Sequence, residues 1–140
     1  MKKLGQFFLL ALSALTLSAC AAPAAKMEPT PSPAPTAEYK KITAADAKER
    51  MDSGDEIVIL DVRTKEEFDA GHIAGAILVP NETILDQQPD LLPDLDAEIL
   101  VYCRSGNRSA QAAKKLLAIG YTNVVDFGGM IDWPYEVVTD

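Results

Sequence analysis

Between Glu38 and Asp140, short apolar runs rich in β-branched residues alternate with segments that carry helix-start and helix-stop signals. Few architectures accept that order. "EIVILDV" (from Glu56) is a continuous apolar run, the pattern of a strand buried on both faces; "AILVP" (from Ala76) and "EILVYC" (from Glu98) read as further short strands, and "NVVDFGG" (from Asn123) as a last strand and turn. Between them, Thr43 with Asp46 three residues later predicts a capped helix that runs to about Asp52 and stops before Gly54. Thr64 and Glu67 form a second capping box and predict a short helix ending near Gly71. "SAQAAKKLLAIG" sets Ala112, Leu116 and Ile119 on one stripe and stops at Gly120, which predicts a helix from about Ser109. Buried strands joined by helices pair in parallel, so the expected fold is α/β: a small parallel sheet of about five strands with helices on both faces. Functional groups of such sheets lie outside the carboxyl ends of the strands.

The segment before this domain has a different composition. Lys2 and Lys3 precede an apolar run from Phe7 to Leu17, eleven residues long. A spanning helix needs about 20, so the run reads as an export signal and not as an anchor. "LSAC" (Leu17 to Cys20) resembles the lipobox of bacterial lipoproteins, which implies cleavage before Cys20 and lipidation of that residue. Pro23 to Ala37 contains five prolines in fifteen residues and little to bury, the composition of an extended spacer. The expected organisation is therefore a signal over residues 1–19, a lipidated cysteine and linker over 20–37, and one domain over 38–140. The expected location is the outer face of a bacterial cell membrane, or the outer membrane or periplasm, held there by the lipid on Cys20.

Removing residues 1–19 leaves 11 basic and 21 acidic residues, a formal charge of −10. That charge argues against nucleic acid as a partner, because a phosphate backbone needs a positive surface. Cys20 is expected to carry lipid or to lie in a tail from which a bridge would staple nothing in the core, so Cys103 is expected to be a free thiol. One histidine and one available cysteine do not supply the three or four ligands of a zinc site, and no metal or cofactor is expected.

Cys103 ends an apolar strand and opens "CRSGNRS", a glycine-bearing loop that leads into a helix. A thiol is a nucleophile only when ionised, and its ordinary pKa is about 8.5. Unpaired amides at the helix start, a curl at Gly106, and the charges of Arg104 and Arg108 all favour the thiolate. The same cradle suits an anionic substrate.

"CRSGNRS" resembles the active-site loop of the single-domain rhodanese-like sulfurtransferases. "DVRTKEEFDAGHIAGAILVP" (Asp61 to Pro80) resembles that family's upstream signature, and "FGGMIDW" (Phe127 to Trp133) its closing segment. The resemblance implies a rhodanese-like fold and a ping-pong sulfur transfer through a persulfide on Cys103. The donor would be a small sulfane anion such as thiosulfate, and the acceptor a thiol or cyanide. Arg104, Ser105, Gly106, Asn107, Arg108 and Ser109 would bind substrate through loop amides and side chains, with Arg104 and Arg108 orienting the donor. Asp61, Arg63 and Glu67 would brace neighbouring loops through ion pairs, and His72 would be structural. A monomer is expected. Two other readings are a sulfur carrier that serves a protein partner, and an oxyanion enzyme related to the cell-cycle phosphatases and arsenate reductases. The latter place five residues between Cys and Arg, whereas four separate Cys103 from Arg108.

Overall fold

The structure is a computed structural model and describes residues 37–139. The export signal, Cys20 and nearly all of the proline-rich spacer lie outside the described residues. In chain order the elements are β1 (Lys40–Lys41), α1 (Ala44–Asp52), β2 (Ile57–Asp61), α2 (Lys65–Asp69), β3 (Ile77–Leu78), β4 (Glu98–Cys103), α3 (Asn107–Ile119) and β5 (Val124–Gly129). Single 3-10 turns follow β3 (Asn81–Thr83) and β5 (Met130–Asp132). The five strands form one parallel sheet in the order β1-β5-β4-β2-β3, as the alternation of strands and helices predicts.

The side chains of β4 sort by the two-residue period of a strand. Ile99, Val101 and Cys103 join the core on the α3 side, where Ala112, Ala113 and Leu116 pack. Leu100 and Tyr102 join Ala47 of α1, Val125, Phe127 and Trp133 on the opposite side. Burying both faces of the central strand explains its unbroken apolar run, and the same period directs Cys103 toward the helix that its own loop starts. Both predicted capping boxes form. The Thr43 hydroxyl accepts from the Asp46 amide at 3.1 Å, and the Thr64 hydroxyl accepts from the Glu67 amide at 3.3 Å.

Two features differ from the sequence expectation. α3 begins at Asn107, two residues before Ser109, because Gly106 adopts φ 91° and serves as the N-cap residue. A left-handed residue there favours glycine. β1 is an edge strand of two exposed lysines paired with Val125 and Asp126, and its sequence has no apolar pattern to announce it.

Candidate active site

The carboxyl ends of β4 and β5 build the site together. The β4–β5 register slips between Val101 and Cys103, so that Cys103 pairs with Gly129. A slip of this kind re-aims the side chain beside it. The backbone after Cys103 then runs so close to Gly129 that a Cβ placed there would lie 2.3 Å from the Arg104 carbonyl oxygen and 2.6 Å from the Ser105 Cα. Only a residue without a side chain permits that approach. The Ile131 amide donates to the same Arg104 carbonyl at 3.1 Å, closing the contact from the far side. Gly129→Ala should therefore displace the loop and destabilise the domain by about 3 kcal/mol, the upper range for overpacking a tight site. Urea unfolding and the reactivity of Cys103 should both report the change.

Cys103 is 1% exposed, which alone would fit a packing cysteine. The groups that cover it give it a different character. The Gly106 amide donates to Sγ at 3.1 Å, and the Ser109 hydroxyl lies 3.7 Å away. Burial pushes the thiol pKa up, but hydrogen bonds from the Ser109 backbone and hydroxyl and from the Ser105 and Gly106 amides outweigh it. The net direction is down, toward the thiolate. The sulfur thus sits between an apolar core and converging donors, a setting built for an anion.

The arginines divide. Arg104 is exposed and lines a depression of about 360 Å³ with Arg63, Glu67, Ala70, Met130 and Ile131. Arg108, which the sequence suggested would orient an incoming anion, donates its guanidinium to both oxygens of Glu67 at 2.7 and 2.8 Å. That fork is satisfied by protein, and its effect is to tie the start of α3 to α2. Asp61 and Arg63, expected to brace neighbouring loops through ion pairs, pair with each other, and Glu67 pairs with Arg108. Arg63 donates to Asp61 through Nε at 3.0 Å and Nη2 at 2.6 Å, and to the Gly71 carbonyl at 2.7 Å. Asn107 turns away from the cradle, since its Oδ1 accepts from Gln111 one helical turn on at 3.1 Å. His72 stacks on Phe68 with ring centroids 3.7 Å apart, and its Nδ1 lies 3.0 Å from the Phe68 carbonyl. Its backbone pairs with Val138. These contacts are those of a packing residue. Among the described residues no group of three His, Cys, Asp or Glu is placed to hold a metal ion.

The Arg108 guanidinium hydrogen-bonded to it holds the Glu67 carboxyl down to about 2, from an ordinary value of 4.5. A depressed carboxyl contributes stability that is complete above pH 4.5 and is lost as pH falls through 2. Allowing for its partial exposure, the contribution is on the order of 2 kcal/mol. Parent and Glu67→Gln should therefore differ in urea midpoint at pH 7 and converge near pH 2.

Sequence reading did not find Asp126. It is fully buried in β5, and its Oδ1 accepts from the Gly128 amide at 2.9 Å. The signal was an acid inside an otherwise apolar strand.

A parallel sheet that presents a cysteine at its central strand end, ringed by amides that lead into a helix, defines a thiolate-nucleophile domain. The chain belongs to the rhodanese-like family of sulfurtransferases, and the Rhodanese-like domain model matches residues 43–134. It is similar to thiosulfate sulfurtransferase PspE of Escherichia coli, with 36% identity over 52% of this chain and 70% of that protein. It is also similar to the putative sulfurtransferase YtwF of Bacillus subtilis, with 35% identity over 71% of this chain and 94% of that protein. Of some larger curated relatives, the tRNA uridine(34) hydroxylase of Pectobacterium atrosepticum among them, the chain spans 30% of the length or less. A crystal structure of a rhodanese-related protein from Thermoplasma volcanium superposes with a TM-score of 0.62 and 32% identity, covering 73% of this chain and all of that one.

Proposed function

We propose that the chain moves a sulfane sulfur from thiosulfate or a similar small anion to a thiol or cyanide acceptor through a persulfide on Cys103. The observation that carries this reading is the sulfur's setting: a nearly covered thiol that accepts from the Gly106 amide, with the Ser105 and Ser109 donors around it. The Cys103 thiolate attacks the outer sulfur of thiosulfate. The sulfur–sulfur bond of the donor breaks, its electron pair leaves with sulfite, and Cys103 becomes a persulfide anion. An acceptor nucleophile then attacks the terminal sulfur and returns the thiolate, so no oxidant or reductant is consumed. This is covalent catalysis with an activated nucleophile, and the loop amides stabilise the charge on each transferring sulfur. Arg104, exposed at the rim, supplies the positive charge that draws a dianion to the mouth.

The fork between Arg108 and Glu67 favours this reading over a phosphatase or arsenate reductase, in which that guanidinium would have to face the oxyanion. The lipobox-like segment supports placing the reaction at the outer face of a membrane, with the proline-rich spacer between lipid and domain. The test is to supply the purified full chain with thiosulfate and cyanide and assay thiocyanate. Steady turnover is expected. Absence of turnover with every sulfane donor would end the proposal, whereas normal loading of Cys103 with negligible turnover would favour a carrier for a protein partner.

A further inference from the structure

Asp126 has no part in the sulfur chemistry just described, yet it is a fully buried carboxylate. A buried charge persists only where it is hydrogen-bonded, so its partners show what it holds. One oxygen takes the Tyr39 hydroxyl at 2.6 Å and the other takes the Gly128 amide at 2.9 Å. Its backbone carbonyl also accepts from the Ile42 amide at 2.9 Å. Tyr39 stands just before β1, with the Lys114 ammonium of α3 over its ring at 5.6 Å. Burial and the bond to Asp126 push the Tyr39 hydroxyl up to about 12, so it remains a donor across the neutral range.

Gly128 has φ 94°, and its carbonyl lies 3.2 Å from the Ser109 hydroxyl. That hydroxyl has one proton and three acceptors in reach: the Gly128 carbonyl, the Gly106 carbonyl at 3.1 Å and the Cys103 sulfur at 3.7 Å. Where the Gly128 carbonyl sits therefore decides how readily Ser109 turns its proton to a thiolate. The next residue, Gly129, is the one on which the Arg104–Ser105 backbone rests.

We infer that Asp126 and Tyr39 are positioning residues for Cys103: they pin the Gly128–Gly129 turn, and the turn sets the aim of the Ser109 hydroxyl and the loop amides. The inference rests on Cys103 being the nucleophile. It adds that the segment joining the spacer to the domain is wired to the reacting sulfur through three successive hydrogen-bonding residues.

The experiment follows the pH dependence of iodoacetamide alkylation of Cys103 in the full chain. It is read on the Cys103 peptide by mass spectrometry, so that Cys20 does not contribute. Arg108 on α3 interacts electrostatically with the sulfur and itself feels Glu67 of α2 and Glu82, and all three remain in every variant. Asp126→Asn should raise the alkylation midpoint and slow alkylation at pH 7 by about 5-fold, the scale of one hydrogen bond. Tyr39→Phe should act in the same direction by about 2-fold, since Asp126 keeps its bond to Gly128. The double variant should be no slower than Asp126→Asn alone, because both changes break one link. Midpoints unchanged from the parent would overturn the inference, and Tyr39→Phe decides the matter should Asp126→Asn fail to fold. Shifted midpoints in a chain that never makes thiocyanate would uphold this inference and overturn the proposed sulfur transfer. A parent midpoint near that of an ordinary thiol would end both.

Discussion

Cys103→Ser should make no thiocyanate from thiosulfate and cyanide, a loss of at least about 1,000-fold, because a hydroxyl in that cradle does not ionise near neutral pH and forms no persulfide. The change removes little else. Serine is close to cysteine in size and still accepts from the Gly106 amide that now points at sulfur. The urea midpoint should remain near the parent's, which separates loss of the nucleophile from loss of the fold. Steady-state assay beside urea titration checks both halves. A Ser variant that keeps a tenth of parental turnover would move the chemistry away from this loop.

Arg63→Met should have the largest effect on stability and should do so without touching the nucleophile. Asp61 is fully buried and the Arg63 side chain is 7% exposed. Removing the guanidinium leaves a carboxylate without its charged partner and strips the Gly71 carbonyl of a donor. Breaking a buried pair by taking one member costs about 3–5 kcal/mol. In a domain of this size that corresponds to a fall in Tm of roughly 15 °C or more. Methionine keeps much of the packing volume, so the loss reports on charge more than on a cavity. Thermal unfolding by circular dichroism measures it. A fall of only a degree or two would mean that water or a shifted side chain takes over from Arg63.

The amino-acid sequence makes the local parts of this molecule readable and hides the distant ones. β4 was readable because a central strand buries both faces and so shows an unbroken apolar run. Both capping boxes were readable because Thr43 with Asp46, and Thr64 with Glu67, lie within one turn of each other. β1 was not, since two exposed lysines at a sheet edge pair through backbone groups that leave no trace in side-chain pattern. The partner of Arg108 was missed for a related reason. Glu67 lies 41 residues away, and only the parallel arrangement of β2 and β4 brings α2 beside the start of α3. Chemistry confined to one loop, such as the Gly106 curl beneath Cys103, could be inferred from residue types alone. The support for that loop from Asp126 and Gly129 depends on β5 lying next to β4, which is a property of sheet order.

That support bears on the whole account, because a cradle of amides stabilises a thiolate only while something holds the amides in place. Gly129 does so by close approach, Asp126 by a hydrogen bond to the turn, and the Arg108–Glu67 fork by fixing the helix start. None of the three needs to meet the substrate. The most direct measurement is the mass of the Cys103 peptide after brief exposure of the full chain to thiosulfate, together with the sulfite released. The account predicts a gain of about 32 Da, one sulfur, matched by one equivalent of sulfite, as expected for a covalent intermediate. An unmodified Cys103 in folded protein, with thiosulfate and with every other sulfane donor tried, would contradict it.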